Sequence, residues 1–285
     1  MFKNILVPIS SEFYNKQVFK RAVFLAERFK SSISLIYIIE TKTIDQTDKI
    51  SEAYLSDFEM TETKKQMMRE QVKTADKIVF DDAKTYFKGK NIEIKEKIVR
   101  GEFSDSVKLE LEKKPYDLII MGFEKECILN YRILEDIEIP VWIEGKSESK
   151  TILAVLSNLA PNQKVPEMSI KLSKKLDWNL HMIYVVDTED RVQVDEQGMR
   201  SGKKQERDLL FTGQNLVEDL QDKGIKAEMI KGNLEKEIAK KAEEINANLV
   251  IVGREQKKKG TMGFPVKNIK KKMVEKCEHS ILFIN

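Results

Sequence analysis

Side chains able to carry chemistry are few in this chain. Its 285 residues include two histidines, His181 and His279, and two cysteines, Cys127 and Cys277. No paired carboxylates at ligand spacing accompany the histidines, so no metal set can be assembled. A Ser-His-Asp or Cys-His arrangement cannot be assigned either. His181 lies inside an apolar run and is expected as a hydrogen-bonded core histidine, whereas His279 is expected at the surface where the last strand begins. The cysteines stand 150 positions apart and fall on predicted helices, where they read as small apolar fillers outside any disulfide framework. Glycine, the residue of phosphate-cradling loops, numbers 12, about 4% against the usual ~7%. The densest charge is basic: residues 253–277 carry nine Lys or Arg against Glu255 and Glu275, a local +7 in a chain of net +3. Such a run can hold an anion, but Phe264 is its single aromatic residue, too little to stack successive bases, so nucleic acid is disfavoured and a solvated face is the simpler reading.

The elements that must position these residues repeat. Ile5–Ser10 matches Ile152–Ser157 and Ile36–Glu40 matches Ile183–Asp187, both at an offset of 147. Ile98–Gly101 matches Met229–Gly232 and Asp117–Gly122 matches Asn248–Gly253, both at 131, and Ile139–Ile143 matches His279–Phe283 at 140. Offsets that change only between blocks place insertions in connections, as two copies of one fold require. Each run is apolar without alternation, the pattern of a parallel strand buried on both faces. Between the runs stand helical stripes: Val18, Ala22, Leu25, Ala26 and Phe29; Met68, Val72, Ala75, Val79, Ala83 and Phe87; Leu234, Ile238, Ala242 and Ile245, capped by Asn233; and Val266, Ile269, Met273 and Cys277 after Pro265. Strand–helix alternation predicts two α/β domains, residues 1–145 and 150–285, joined by the polar linker Glu144–Lys150. With 41% hydrophobic and 34% charged residues, the chain has enough apolar material for two cores. The absence of a leader-like or membrane-length apolar run leads to the expectation of a cytoplasmic protein.

The first strand (ILVPIS), the second (IYIIE), the IVRGE turn before a helix and the DLIIMG strand together resemble the universal stress protein family, and they do so twice over nearly the whole chain. The resemblance implies Rossmann-like, HUP-type open parallel sheets, two of them with five strands each in the order 3-2-1-4-5 and helices on both faces. It also implies antiparallel pairing of the two final strands. In such a sheet a ligand sits beyond the strand carboxyl ends where the order reverses, so the crevice is lined by Ser10 and Gly122 in the first copy and by Ser157, Gly253 and Arg254 in the second. Family members that bind ATP carry an acid at the end of strand 1 and Gly-x2-Gly-x9-Gly-(Ser/Thr) after strand 4. Here Ser10 and Ser157 replace the acid. Lys125 and Gln256 replace the second glycine, Glu135-Asp136 fall at the final pair in the first copy, and Lys267-Asn268 fall there in the second.

An intact scaffold without its phosphate-loop glycines points to stress-linked regulation through protein association, without catalysis and without a cofactor. Partners are other proteins or the chain itself, through the final strands, with a homodimer of tandem chains as one form. The alternative is a switch binding ATP or another adenine nucleotide in the second copy, with Lys267 and Arg254 supplying charge and weak hydrolysis retained. An adenylating enzyme of related architecture would need Ser-Gly-Gly or His-x-Gly-His signatures, which are absent.

Overall fold

The structure is a computed structural model that describes residues 1–10, 15–40, 66, 69–70, 80–122, 133–134, 137–195, 201–254, 273–274 and 278–284. It divides into two compact units, Met1–Ile133 and Leu134–Asn285.

In the first unit β1 (Asn4–Ile9) leads to α1 (Lys16–Phe29) and β2 (Ser32–Glu40), then α2 (Asp81–Phe87), β3 (Ile94–Gly101), α3 (Phe103–Lys113) and β4 (Leu118–Gly122). β1 pairs in parallel with both β2 and β4, and β2 pairs in parallel with β3, giving the order β3-β2-β1-β4. α1 begins where Asn15, in an extended conformation, accepts the Gln17 N–H on its side chain, the usual means of satisfying a free helix donor. The apolar stripe predicted for α1 is buried throughout. Of the stripe beginning at Met68, Ala83 and Phe87 are buried, while Met68, Val72, Ala75 and Val79 lie outside the described residues.

The second unit contains β5 (Val141–Glu144), β6 (Thr151–Ser157), α4 (Lys164–Leu176), β7 (Asn179–Asp187), α5 (Glu206–Asp222), β8 (Ala227–Gly232), α6 (Leu234–Glu244), β9 (Leu249–Gly253) and β10 (Ser280–Ile284). Here β6 lies between β7 and β9, β7 pairs with β8, and β9 pairs with β10, all parallel. That is the expected 3-2-1-4-5 order. The antiparallel pairing of the final strands also occurs: Ile143, Trp142 and Val141 face Ile281, Leu282 and Phe283. Two five-stranded sheets, however, are not what forms. β5, the last strand of the first repeat, belongs to the second unit and hydrogen-bonds along β10, so the units hold four and six strands. The physical reason is that β10, apolar from Ile281 to Ile284, offers an edge for pairing, and β5 covers it. Beside this seam Glu144 accepts hydrogen bonds from Trp142 Nε1 (2.7 Å) and Ser280 Oγ (3.1 Å), so a buried carboxylate is satisfied at the end of the apolar ladder.

Every residue of β4, β5, β9 and β10 is buried, so these strands are covered on both faces. β3 and β8 differ. As edge strands they expose Lys95, Glu96 and Lys97, and Glu228 and Met229, correcting the expectation that all matched runs are buried on both sides. The repeat survives even in backbone detail. α1 and α4 both end on a non-glycine residue in the left-handed region, Lys30 (φ 54°) and Asp177 (φ 58°), whose N–H groups close onto Ala26 and Ser173 carbonyls.

Candidate functional site

The order of each sheet reverses between its first and fourth strands, which puts the crevices beyond the carboxyl ends of β1 and β4 in the first unit and of β6 and β9 in the second.

In the second unit the chain itself occupies the crevice mouth. β6 ends at Ser157, whose N–H donates to Asn162 Oδ1 (2.9 Å) while Asn162 Nδ2 returns a hydrogen bond to the Ser157 carbonyl (2.9 Å). Ser157 Oγ accepts the Leu159 N–H at 3.1 Å. These bonds fold residues 158–162 back over the strand end and bring the Pro161 carbonyl onto Gly253. A Cβ built at Gly253 would stand 1.8 Å from that oxygen, so glycine here serves an internal contact. Asn158, fully buried, ties this loop to the segment after β7. Its Nδ2 donates to the carbonyls of Val192 (2.7 Å) and Asp190 (3.2 Å), its Oδ1 accepts the Asp187 N–H (2.7 Å), and its carbonyl accepts the Val194 N–H (2.7 Å). Asp187 completes the network. Its Oδ1 accepts the N–H groups of Glu189 and Asp190, and its Oδ2 accepts the Leu234 N–H at the start of α6, each at 2.9 Å. A carboxylate at a helix N-terminus is favoured by the helix dipole as well as by the hydrogen bond. Asn233 caps the same helix as anticipated, accepting the Lys236 N–H, and its Nδ2 reaches Glu189.

Arg254 follows Gly253 but does not belong to an exposed basic run. It is 1% exposed, and its Nη2 donates to the carbonyls of Ile137 and Ile139 (3.0 Å to the latter), while its N–H donates to Ile284. Burial draws its guanidinium down to about 10. Counted with the lysines by sequence, it instead binds the chain entering β5 to the end of β10. Lys267 and Asn268, the remaining candidates, lie outside the described residues, as do Lys125, Glu135, Asp136, Gln256, both cysteines and the rest of the basic run.

In the first unit Ser10 and Gly122 stand at the corresponding strand ends. Ser10 is fully buried, and its Oγ finds no partner among the described residues. A Cβ at Gly122 would meet Asn15 Cβ at 2.7 Å, a close packing of β4 against the start of α1. The histidines differ from expectation. His181 is half-buried in β7, and burial, helped by Lys226 and Lys241, lowers its pKa. His279 is also half-buried, and its Nδ1 lies 2.6 Å from the Ala247 carbonyl. Sequence reasoning missed Asn158, Asn162 and Asp187. The run Asn158-Leu159-Ala160-Pro161-Asn162 carries a turn signal that marks a structured strand-to-helix connection. Among the described residues no helix is long and apolar enough to cross a membrane.

The family model of the universal stress protein family matches residues 1–134 and again 148–285. No curated protein matches the chain. Among solved structures, a universal stress protein from Archaeoglobus fulgidus DSM 4304 is similar at 16% identity, covering 99% of this chain and 96% of that one, with a TM-score of 0.64. A functionally unknown protein from Pseudomonas aeruginosa PAO1 is similar at 13% identity, covering 99% and 92%, also with a TM-score of 0.64. A universal stress protein solved in complex with cAMP matches 47% of this chain and 82% of its own, at 15% identity and a TM-score of 0.27, a likeness too slight to argue from. With an α/β fold, a mostly parallel sheet and two successive matches that together span nearly its whole length, the chain belongs to the universal stress protein family.

Proposed function

We propose that this protein acts in the cytoplasm as a stress-response regulator through association with other proteins, without catalysis and without a resident nucleotide. One observation carries the reading: the Pro161 carbonyl lies on Gly253 at the mouth of the β6/β9 crevice. A phosphate site there needs backbone N–H groups turned outward. Instead, the N–H groups of Ser157 and Leu159 are used by Asn162 and Ser157, and the Arg254 guanidinium serves carbonyls of its own chain. In the first unit a serine at the end of β1 offers an adenosine no carboxylate.

The test is a titration of the full chain with ATP, ADP and cAMP, followed by calorimetry and by melting temperature. A ligand at 100 times its Kd adds about 2.7 kcal/mol of stability. The expected result is no saturable heat and no rise in melting temperature at millimolar nucleotide. Saturable binding lost in Lys267→Gln would overturn the reading and establish the nucleotide switch of the second copy.

A further inference from the structure

An asparagine stands at the same place in both copies and is used in two ways. Asn15 and Asn162 lie 147 residues apart, the offset of the first two strands. Their backbones make the same bond: the Val18 N–H donates to the Asn15 carbonyl at 3.0 Å, and the Val165 N–H to the Asn162 carbonyl at 3.1 Å. The side chains diverge. Asn15 turns to α1 and accepts the Gln17 N–H at 2.9 Å. Asn162 turns away from α4, whose N-cap residue Gln163 makes no side-chain cap bond. Its Oδ1 accepts the Ser157 N–H and its Nδ2 donates to the Ser157 carbonyl, each at 2.9 Å. Among the described residues β6 pairs with β9 from Ile152 to Val155, so the Asn162 amide serves the strand end beyond the last paired residue. We infer that Asn162 is a two-position latch on the second crevice. On Ser157 it holds the crevice shut; on the Lys164 N–H of α4, as Asn15 sits on α1, it leaves Ser157 open to a ligand carrying a primary carboxamide.

The inference rests on the reading of this crevice as closed by its own chain. Rotation of one side chain exchanges the partners, while the backbone bond from Val165 to Asn162 stays in place. Each position has its own return: the first satisfies both ends of the amide, and the second satisfies a helix donor that has no intrahelical partner. The ligand follows from what Ser157 presents, one donor and one acceptor side by side. A primary carboxamide meets them with an oxygen and an N–H in one plane, as Asn162 does. A carboxylate has two acceptors and no donor, so one of its oxygens faces the Ser157 carbonyl and is repelled.

The test is amide hydrogen exchange of the full chain at neutral pH, read by NMR at Ser157 and Lys164 in the parent, Asn162→Asp and Asn162→Ala. Neither reporter adjoins residue 162, so intrinsic exchange rates are unchanged. The Asp carboxylate cannot donate to the Ser157 carbonyl and is favoured at a helix N-terminus. In Asn162→Asp the Ser157 N–H is therefore expected to exchange about fivefold or more faster than in the parent. The Lys164 N–H is expected to exchange about fivefold or more slower than in Asn162→Ala, each change being the worth of roughly one hydrogen bond. Millimolar nicotinamide is then expected to slow Ser157 exchange in Asn162→Asp about twofold or more, the effect of a ligand at its Kd, and nicotinate to leave it unchanged. Equal Lys164 exchange in the two variants would overturn the inference, because Asn162 would have no second position. So would a Ser157 N–H no faster in Asn162→Asp than in the parent, or one that ignores nicotinamide or answers nicotinate equally. No nucleotide enters this test, so its failure is distinct from saturable nucleotide binding by the parent, which would overturn the closed crevice itself.

Discussion

The two copies solve one problem with opposite charges. In the first unit Glu110 on α3 bridges Lys97 on β3 (2.9 Å) and Lys113 one turn on (3.7 Å). At the positions 131 residues further along, Lys241 on α6 bridges Glu228 on β8 (2.7 Å) and Glu244 one turn on (2.8 Å). Every sign is reversed and the connectivity is kept. A position largely shielded from solvent where a helix crosses an edge strand calls for a paired charge, and either polarity serves. The fold therefore constrains the location of the triad and leaves its chemistry free. The crevices follow the same rule, with matched strand ends and different local solutions.

The largest effect that would sharpen this contrast lies at the paired glycines. Gly253→Ala drives a Cβ into the Pro161 backbone oxygen, whereas Gly122→Ala meets the side chain of Asn15. Backbone cannot step aside as a side chain can, so we expect a loss of about 3 kcal/mol at Gly253 and about 1–2 kcal/mol at Gly122. Both tryptophans, Trp142 and Trp178, lie in the second unit, so denaturant unfolding followed by tryptophan fluorescence reads Gly253→Ala directly, with far-UV circular dichroism covering Gly122→Ala. Equal losses would mean that the loop over Gly253 yields easily and that the second crevice is less firmly closed than its contacts suggest.

Next come the triads, whose pH dependence should have opposite sense. Burial raises the Glu110 pKa, but hydrogen bonds from Lys97 and Tyr116 and the charges of Lys97 and Lys113 outweigh it, leaving the carboxyl below its ordinary 4.5. Its contribution is present above the unfolded value and is lost as pH falls through the folded one. Lys241 is raised above 10.5 by its hydrogen bonds to Glu228 and Glu244, against the smaller effect of burial. Its contribution is complete below the unfolded value and is lost as pH rises through the folded one. At neutral pH we expect Glu110→Gln to cost about 1.5 kcal/mol. Lys241→Met, whose carboxylate partners are solvent-exposed, should cost about 0.5 kcal/mol. The first difference should shrink in acid and the second in alkali. If both shrink at the same end of the pH scale, the two triads are not energetic counterparts.

What the residues announced in advance follows the same division between backbone and side chain. Unbroken apolar runs such as Leu118–Gly122 and Leu249–Gly253 exposed the strands and their repeat, because burying both faces of a sheet leaves a dense local signature, while the strand order was implied only by the family resemblance. Asn233 was legible as a cap because capping is settled within three residues. Arg254 was not. By position it joins a lysine run, yet its partners Ile137 and Ile139 lie 117 and 115 residues earlier, and only the pairing of β5 with β10 brings them close. Asn158 reaches Asp190 and Val192 across 32 and 34 residues. The exposure of β3 and β8 was also hidden in the residues themselves, since Ile98-Val99 and Met229-Ile230 look as apolar as any central strand.

A smaller contrast tests whether the crevice serines are equivalent. Ser157 Oγ accepts the Leu159 N–H, so Ser157→Ala leaves a buried donor unmet and should cost about 1 kcal/mol. Ser10 Oγ has no partner among the described residues, so Ser10→Ala sheds an unpaid desolvation and should be neutral or stabilising. Urea unfolding of both variants against the parent measures the pair. A clear loss at Ser10 would show that its hydroxyl is used.

The smallest effect concerns the two left-handed helix ends. A residue with a Cβ pays roughly 1–2 kcal/mol to adopt this conformation, whereas glycine adopts it freely but loses more backbone entropy on folding, by about 0.5–1 kcal/mol. For Lys30→Gly the first quantity exceeds the second, so a net gain of about 0.5 kcal/mol is expected. Asp177→Gly should gain less, because a short polar side chain tolerates the left-handed region better than an aliphatic stem. Neither substitution removes the closing hydrogen bonds to Ala26 and Ser173, which are made by the backbone N–H. Thermal unfolding of the two single variants and the double variant gives both gains, and because the sites sit in separate units they should add. A larger gain at Asp177 than at Lys30 would mean that the aspartate is strained beyond its backbone, and the symmetry between the two helix ends would hold for their dihedral angles but not for their energies.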